Sequence, residues 1–592
     1  YILGVPHPPG SPFYLLLGNV FSSIPFFSDI GARVNLISPI TSAFSVMFLY
    51  LIIVYLIEEF YGKVKNFSDC LVVYASSIIA ALTFAFTDAQ WFNAVEAEVY
   101  SLSTFFTSIV VWMILKWNKT GDTDWNIRYL LIIIYMFGLA IGVHLLNLLT
   151  LPFVALIIYF KRFEFSIKTF LFTMGLTLAV FLTIYIGIIK GIPDITSKLG
   201  SLNFLFIMII GIIGSIILIH LISKKPQLNI YATTISIISS ISILFLIVSS
   251  LFIKDKNKIS LHNQNELINV QEKIDNYDRE IYKLNNSVNE DQLYLDKSLQ
   301  QKINNKINER NNLVEDFRKH YETYINFEEN KNKLSFISII KWQPKWNLLI
   351  CIIIFTLATY FLIKHGQTKS LNIGYIYKFF FLSILLIIIG YSSYTMIFIR
   401  AGQNPAINEN NPNNIDRALA YMNRDQYGDW EILNWSSTIA RPENTNWKRY
   451  TLDKNNPSFK EQLNFFVNYQ INEMYLRYFA WQFAGKGNKD EYPWYIKNLN
   501  GNLIGNQQLD GINWFRYGLP LALLLGLLGL YAHFTKDWKR AFSVLSLFLT
   551  TGLMIIIYLN QYDPQPRERD YSYVGSFFAF SIWIGIGLSY IL

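Results

Sequence analysis

The chain has 592 residues, of which 52% are hydrophobic and only 16% are charged, and its formal net charge is +8. Soluble proteins carry about 25% charged residues, and the mean hydropathy here is +0.28, so the composition excludes an ordinary soluble protein. Both cysteines, Cys70 and Cys351, lie in apolar runs, which indicates neither a disulfide framework nor a metal site.

The first residues form a proline-rich loop, GVPHPPG, in which His7 stands between Pro6 and Pro8. Proline fixes its own φ angle and restricts the residue before it, so the loop is expected to be stiff and to hold His7 in place. Residues 11–27 are apolar but short, and they predict a helix that lies in the membrane interface.

Apolar runs near the bilayer-spanning length of about 20 residues recur from residue 34 onward. They predict an all-α polytopic membrane protein with a short span at 147–160 that Pro152 kinks. The thirteen predicted spans are 34–56, 70–87, 97–116, 128–145, 147–160, 166–189, 203–222, 229–252, 347–363, 374–398, 517–534, 541–559 and 573–592.

The charges of the short loops assign the two sides of the membrane. Alternate loops, beginning with the one that holds Lys63 and Lys65, carry fifteen Lys and Arg residues, and the other set carries four. Because positive loops stay in the cytoplasm, the first set is predicted to be cytoplasmic and the second to face the periplasm or a lumen. The net charge therefore reflects membrane orientation, and no nucleic acid partner is expected.

Two long polar segments fall on the predicted outer side. In residues 254–345, apolar residues repeat with heptad spacing, which predicts a coiled-coil hairpin that is either a docking arm for a partner protein or a spacer. Residues 400–515 are rich in Trp, Tyr and Asn and predict a small ordered loop domain.

Carboxylates stand at the outer ends of two spans, in the segment TDAQWFNAVEAEVYSLS. Asp88 and Glu98 are the candidate catalytic residues, since a carboxylate can take a proton from an incoming hydroxyl group. Residues two apart do not share a helix face, so Glu96 is expected to point away from Glu98. Glu98 could instead cap the helix that follows.

The candidate substrate-binding residues come from three outer segments, and arginine among them suits a phosphate because its planar fork binds two oxygens. They are His7, Arg400, Asn404, Glu409, Arg567, Arg569 and Asp570. Together they predict group transfer from a phosphate-linked carrier, although the two C-terminal arginines could simply reach lipid headgroups and His7 could bond to backbone in a turn. No Walker loop, HExxH or CxxC motif is present, and no metal or cofactor is predicted.

Five motifs in this order resemble one family of bacterial membrane proteins, formerly of unknown function and related to a vertebrate endoplasmic-reticulum protein O-mannosyltransferase. The motifs are GVPHPPGSPFYLLLG, DAQWFNAVEAEVYSLS, IRAGQNPAINENNP, NRDQYGD and QPRERDYSYVGSFFAFSIWIGIG. His7 matches the family's His-Pro-Pro-Gly loop, Glu98 its Ala-Glu-Val-Tyr element, and Arg567 to Asp570 its Arg-Glu-Arg-Asp element. Ser11 departs from the tyrosine that is common at that position.

The resemblance implies a GT-C glycosyltransferase fold and the transfer of a sugar, expected to be mannose, from a polyprenyl-phosphate donor to Ser or Thr of exported proteins. The site would face the periplasm from a bacterial inner membrane, among membrane lipids. Family members carry an acidic motif just before the His-Pro-Pro-Gly loop, so the main catalytic base is expected upstream of Tyr1, with the chain truncated at both ends.

The expected organisation is a GT-C-like transmembrane module (1–253), a coiled-coil hairpin insertion (254–345), two transmembrane helices (346–399), an outer loop domain (400–515) and C-terminal transmembrane helices (516–592). Three other functions stay open. A transferase could act on a glycan or lipid acceptor, a transporter or flippase would show charges at mid-span and an inverted repeat, and a scaffold would depend on the hairpin.

Overall fold

A computed structural model describes residues 1–120, 126–191, 261–286, 301–315, 317, 373–427, 445–451, 457–488 and 510–592. Over these ranges the chain is mostly helical and forms no strand, apart from two isolated bridges. The helices are α1 (Pro12–Ser23), α2 (Ile30–Tyr61), α3 (Phe67–Ala85), α4 (Asp88–Val95), α5 (Val99–Lys119), α6 (Ile127–Ile141), α7 (Leu145–Arg162), α8 (Ile167–Ile189), α9 (Leu261–Asn286), α10 (301–315), α11 (Ile373–Tyr391), α12 (Thr395–Gly402), α13 (Ile415–Asn423), α14 (459–483), α15 (Leu521–Lys536), α16 (Trp538–Leu559) and α17 (Val574–Ile591).

Ten described segments coincide with predicted spans, which confirms the all-α polytopic fold. Eight described helical segments are long and apolar enough to cross a membrane, and α6 and α15 are shorter apolar helices. The predicted spans 203–222, 229–252 and 347–363 lie outside the described residues. The kink expected at Pro152 is wrong, because a 3₁₀ turn ends at Thr150 and Pro152 stands in the first turn of a regular helix, where its missing N–H costs little.

Three of the basic loops that were assigned to one side lie among the described residues at one end of the bundle. Lys119, at the end of α5, lies 3.7 Å from Glu58 of α2. Arg540, at the start of α16, lies 2.7 Å from the neighbouring Glu59, and Lys161 of α7 donates to a backbone carbonyl of α5 at 2.7 Å. We call this the basic end. These loops share one face of the bundle, as the charge pattern predicted.

Helix α17 is buried along most of its length and packs against α15, α3, α16 and α2. Its closest neighbour is α15. A Cβ atom added to Gly529 of α15 would lie 1.7 Å from the carbonyl oxygen of Trp583 in α17. Small residues allow such close backbone approach between membrane helices, so Gly529 sets the distance between α15 and α17.

We expect Gly529→Ala to lower the free energy of unfolding by about 3 kcal/mol, the upper end of the usual cost of overpacking. The matched control is Gly175→Ala in α8, where an added Cβ meets nothing within 4 Å and the better helix propensity of alanine favours the variant. Thermal unfolding in detergent measures both. A Gly529→Ala protein as stable as the control would contradict this packing.

Within the segment predicted to be a coiled-coil hairpin, the structure describes two helices, α9 and α10, that share ion pairs. The guanidinium of Arg310 in α10 donates to Asp278 of α9 at 3.0 Å, and Lys306 pairs with Glu280 one turn away. The partner's number in α9 rises as the number in α10 falls, so α9 and α10 run antiparallel.

Candidate functional site

A cavity of about 200 Å³ lies among α4, the start of α5 and the segment that leads into α17. These helix ends are opposite to the basic end. The polar lining consists of Asn93, Glu96, Glu98, Arg567, Glu568 and Asp570, and the aromatic lining of Phe92, Tyr100 and Tyr571. The cavity therefore combines one arginine with four carboxylates, drawn from two parts of the chain that are separated by more than 460 residues.

Glu96 and Glu98 both line this cavity, contrary to the expectation that they point apart. Helix α4 ends at Val95 and α5 begins at Val99, so the residues between them are not helical. Glu96 and Glu98 have extended backbone angles, and alternate residues of an extended chain point to the same side. Glu98 also caps α5, since its carboxylate accepts from the Val99 N–H at 3.4 Å.

The segment before α17 lies along α14, the long helix of residues 459–483. The Tyr469 hydroxyl donates to the Tyr562 carbonyl at 2.9 Å, and the Gln470 amide donates to the Gln561 carbonyl at 2.8 Å. Two turns further on, α14 also binds Glu568 (below). Helix α14 thus fixes the course of residues 561–568 toward the cavity.

Arg477 of α14 forms a buried ion pair with Glu568 of the cavity wall. The Arg477 side chain is 0% exposed and that of Glu568 is 32% exposed. The two guanidinium nitrogens donate to the two carboxylate oxygens at 3.1 and 2.6 Å. The remaining donors reach the carbonyls of Glu473 and Asp510. The hydrogen bonds of the Arg477 guanidinium are therefore all made within the protein, and they hold Glu568 in place.

Tyr478 gives Glu568 a further donor at 2.5 Å, and the Tyr478 hydroxyl in turn accepts from the backbone N–H of Arg569 at 3.1 Å. Burial raises the pKa of Tyr478 well above its ordinary value, so its hydroxyl stays protonated. Because both of its oxygens are engaged, Glu568 is a structural anion, and Glu98 and Asp570 are the better candidates to accept a proton.

Helix α14 also holds the opposite wall, because the Ala89 N–H of α4 donates to Gln482 at 3.0 Å. Asp88, the residue before it, is half-buried but does not line the cavity. Its surroundings bring Lys486 and Arg516 within electrostatic range, yet burial dominates and raises the pKa of Asp88. Asp88 thus belongs to a charged rim beside the cavity.

An aromatic wall closes the inner side of the cavity. The ring centroids of Tyr100 and Tyr571 are 4.6 Å apart, and the His144 ring is 5.5 Å from Tyr100. Both tyrosines also line a second space of about 30 Å³, next to Thr107 and Ile555. The guanidinium of Arg567 lies 4.8 Å from the centroid of the Tyr571 ring.

The remaining predicted residues form a second group around the N-terminal loop. Arg400 donates to the carbonyls of Leu3 and Ile2 at 3.0 and 2.9 Å. The backbone N–H of Glu409 donates to the Val5 carbonyl at 3.0 Å. Three of the predicted residues in this group are exposed, namely His7, Asn404 and Glu409. We call these contacts the N-terminal clamp.

The loop that carries His7 is tight, as its prolines predicted. The Gly10 N–H donates to the His7 carbonyl at 2.9 Å, and the Tyr421 hydroxyl donates to the Pro6 carbonyl at 2.7 Å. Gly10 has a φ of +76°, and an added Cβ atom would lie 2.5 Å from that hydroxyl, so this position requires glycine.

The structure thus brings together Glu98, Arg567 and Asp570 at the cavity, and His7, Arg400, Asn404 and Glu409 do not line it. Arg569 does not line the cavity, and its Nε atom is buried without a partner among the described residues. Sequence reasoning missed Arg477, Tyr100 and Tyr571. Tyr100 and Tyr571 lie within two of the quoted motifs, whereas nothing local singled out Arg477. In the described part of the chain, no three His, Cys, Asp or Glu side chains are placed to hold a metal ion.

Residues 1–167 match the family described as the N-terminal domain of the protein O-mannosyl-transferase TMEM260. Protein O-mannosyl-transferase TMEM260 of Mus musculus is 27% identical over 117 residues, which is 20% of this chain and 15% of the relative. The Dictyostelium discoideum protein of the same name is 25% identical over 166 residues, 25% of this chain and 18% of the relative. No solved structure matches.

The aligned part covers less than a fifth of these curated relatives. The family match over residues 1–167 includes the His7 loop and the Glu98 segment, which are two of the five quoted motifs, and it excludes the Arg567 segment. The first 167 residues of this chain are therefore related to the N-terminal domain of the TMEM260 protein O-mannosyl-transferases.

Proposed function

We propose that the protein is an integral membrane glycosyltransferase that moves mannose from a polyprenyl-phosphate donor to a Ser or Thr hydroxyl of exported proteins. One observation carries the proposal. The cavity joins Glu98, from the region related to the O-mannosyl-transferases, to Arg567 and Asp570 from the far end of the chain. An arginine suits a phosphate and a carboxylate suits a hydroxyl proton.

In the proposed reaction the acceptor hydroxyl oxygen attacks the anomeric carbon of the sugar. The bond from that carbon to the phosphate oxygen breaks, and polyprenyl phosphate leaves with the bonding electron pair. Among the described residues, Glu98 and Asp570 are placed to take the hydroxyl proton, and Arg567 opposes the charge that develops on the phosphate. A single displacement inverts the anomeric centre.

The surroundings of the cavity favour a lipid-linked donor. Phe92 lines the cavity and is 57% exposed, and Trp91 and Val95 on the same short helix are 51% and 50% exposed. Aromatic side chains concentrate at the membrane–water interface. We place α4 in that interface, so that a lipid phosphate reaches Arg567 laterally while its chain stays in the membrane.

The basic end lies opposite to the cavity, and the positive-inside rule assigns it to the cytoplasm. The proposed site then faces the other side, which is the periplasm if the protein resides in a bacterial inner membrane. A labelling experiment with a single cysteine introduced at Asn404 on an exposed turn tests this orientation. An impermeant thiol reagent should label it from outside intact spheroplasts.

The activity is tested by reconstituting the full-length protein with polyprenyl-phosphate mannose labelled in the sugar and with exported acceptor proteins. Label should move to protein and be released by β-elimination, which cleaves O-linked sugars. Label that stays on the lipid, while an unrelated transferase works in the same assay, would contradict the proposal. Mass spectrometry of the products separates a protein acceptor from a glycan or lipid acceptor.

We expect deletion of residues 262–330 to leave the transfer rate within about twofold of the intact protein. The described ion pairs of α9 and α10 join these two helices to each other, and neither helix lines the cavity. The rate is measured in the assay above, with thermal stability as the control. A scaffold that works through this hairpin would lose its role in the deletion.

A further inference from the structure

We propose that Tyr571 is a positioning residue, whose ring holds the guanidinium of Arg567 at the cavity wall before the donor binds. This inference rests on the proposed function, in which Arg567 meets the donor phosphate. It adds a role for an aromatic residue that lies in the last quoted motif but to which neither the resemblance nor the charge pattern assigned a role.

Both Arg477 and Arg567 lie against aromatic rings near the cavity, but they differ in their hydrogen-bond partners and in exposure. The Arg477 guanidinium lies 4.7 Å from the Tyr478 ring and 4.6 Å from the Trp481 ring, but its hydrogen bonds are taken up by Glu568 and backbone carbonyls. Arg567, in contrast, is exposed to solvent. Among the described residues, no carboxylate lies within ion-pair distance of Arg567.

The Tyr571 ring is itself held from two directions. It belongs to a 3₁₀ turn, Asp570–Tyr573, that runs directly into the buried helix α17, and its inner neighbour is the Tyr100 ring, 4.6 Å away. Arg567 lies on this fixed ring at 4.8 Å. The ring attracts the cation through its negatively charged face without neutralising it, so the charge stays available to an anion.

Preorganisation explains why this contact serves binding. An exposed arginine samples many rotamers, and ordering it at the moment of binding lowers affinity. A guanidinium that already rests on a fixed ring loses less freedom when a phosphate arrives. The contact should therefore favour the charged headgroup of the donor and be indifferent to its lipid chain.

The test is a double-mutant cycle on the full chain in detergent, with Tyr571→Leu, Arg567→Gln and the double variant. The probes are polyprenyl phosphate and the neutral polyprenol of the same length. Tyr571→Leu should weaken binding of polyprenyl phosphate about 2- to 5-fold, the range for an exposed cation–π contact. It should not change binding of polyprenol, and it should add nothing in the Arg567→Gln background.

Tyr571→Phe keeps the ring and removes only the hydroxyl, which also interacts with the Arg567 guanidinium, so it should lose less binding than Tyr571→Leu. The matched control is Tyr129→Leu, since the Tyr129 ring also lies near an arginine, 5.2 Å from Arg128, but in α6 and outside the cavity. This control should bind both lipids as the wild type does. If Tyr571→Leu does not fold, Tyr571→Met replaces it in the cycle.

Three results would overturn the role of Tyr571. They are an equal loss in the Arg567→Gln background, an equal loss for polyprenol, or a Tyr571→Phe variant as weak as Tyr571→Leu. These results leave the proposed function intact as long as the wild type prefers polyprenyl phosphate to polyprenol. A wild type without that preference would overturn the phosphate site and the positioning role together.

Discussion

Replacing Arg567 by glutamine is expected to lower the rate of sugar transfer about 100- to 1,000-fold, the usual effect of losing a group that stabilises developing charge. Glutamine keeps a hydrogen-bond donor but loses the positive charge that opposes the leaving phosphate. Because Arg567 is exposed to solvent, the Arg567→Gln variant should fold normally. Initial rates with labelled polyprenyl-phosphate mannose measure the effect, and thermal unfolding checks the fold.

Two other arginines serve as comparators. Arg569→Gln and Arg400→Gln are each expected to lower the transfer rate at most about tenfold, because neither side chain lines the cavity. The assignment would be wrong if either comparator abolished transfer while Arg567→Gln retained it. Such a result would move the phosphate site toward the N-terminal clamp or the segment beside α17.

Arg477→Met is expected to lower the free energy of unfolding by about 3–5 kcal/mol, because it leaves the Glu568 carboxylate without its buried partner. The loss should also reach the cavity, since Arg477 holds Glu568 through two hydrogen bonds. We therefore expect both a lower melting temperature and a lower transfer rate. Unfolding in detergent and the transfer assay measure them on the same preparation.

The double variant Arg477→Met, Glu568→Leu separates charge from shape. Removing both partners of a buried ion pair is commonly far less costly than removing one, so the double variant should regain much of the stability lost in Arg477→Met. If the double variant is no more stable than the single variant, the unpaired carboxylate is not the cause. The instability would then come from the lost packing of Arg477 between Tyr478 and Trp481.

Hydropathy and loop charge predicted most of the membrane architecture, because both report on single segments. The loops that contain Lys119 and Arg540 are predicted from charge alone to lie on one side of the membrane. In the structure these two residues approach Glu58 and Glu59 at one end of the bundle. Pro152 was misread because a proline in an apolar run is compatible with either a kink or a helix start. Only the preceding 3₁₀ turn decides between them.

The site was harder to predict because it depends on which residues from distant parts of the chain come into contact. Glu98, Arg567 and Asp570 were found as charges at span ends, but no pattern in the sequence showed that His7 and Arg400 would lie in another group. Glu96 was discounted on the assumption of a helix, and the extended backbone angles of residues 96 and 98 overturned that reasoning. Arg477 was invisible because its partner, Glu568, is 91 residues away.

The N-terminal clamp joins positions nearly 400 residues apart in the chain, from Ile2 and Leu3 to Arg400. The entropy lost in closing so large a ring grows only with the logarithm of its length, about 0.6 kcal/mol for each doubling. Lengthening or shortening the intervening chain by a hundred residues would therefore barely change the cost of closing the clamp. The segment between the two halves of the clamp can therefore vary in length during evolution while Ile2, Leu3 and Arg400 keep their contacts.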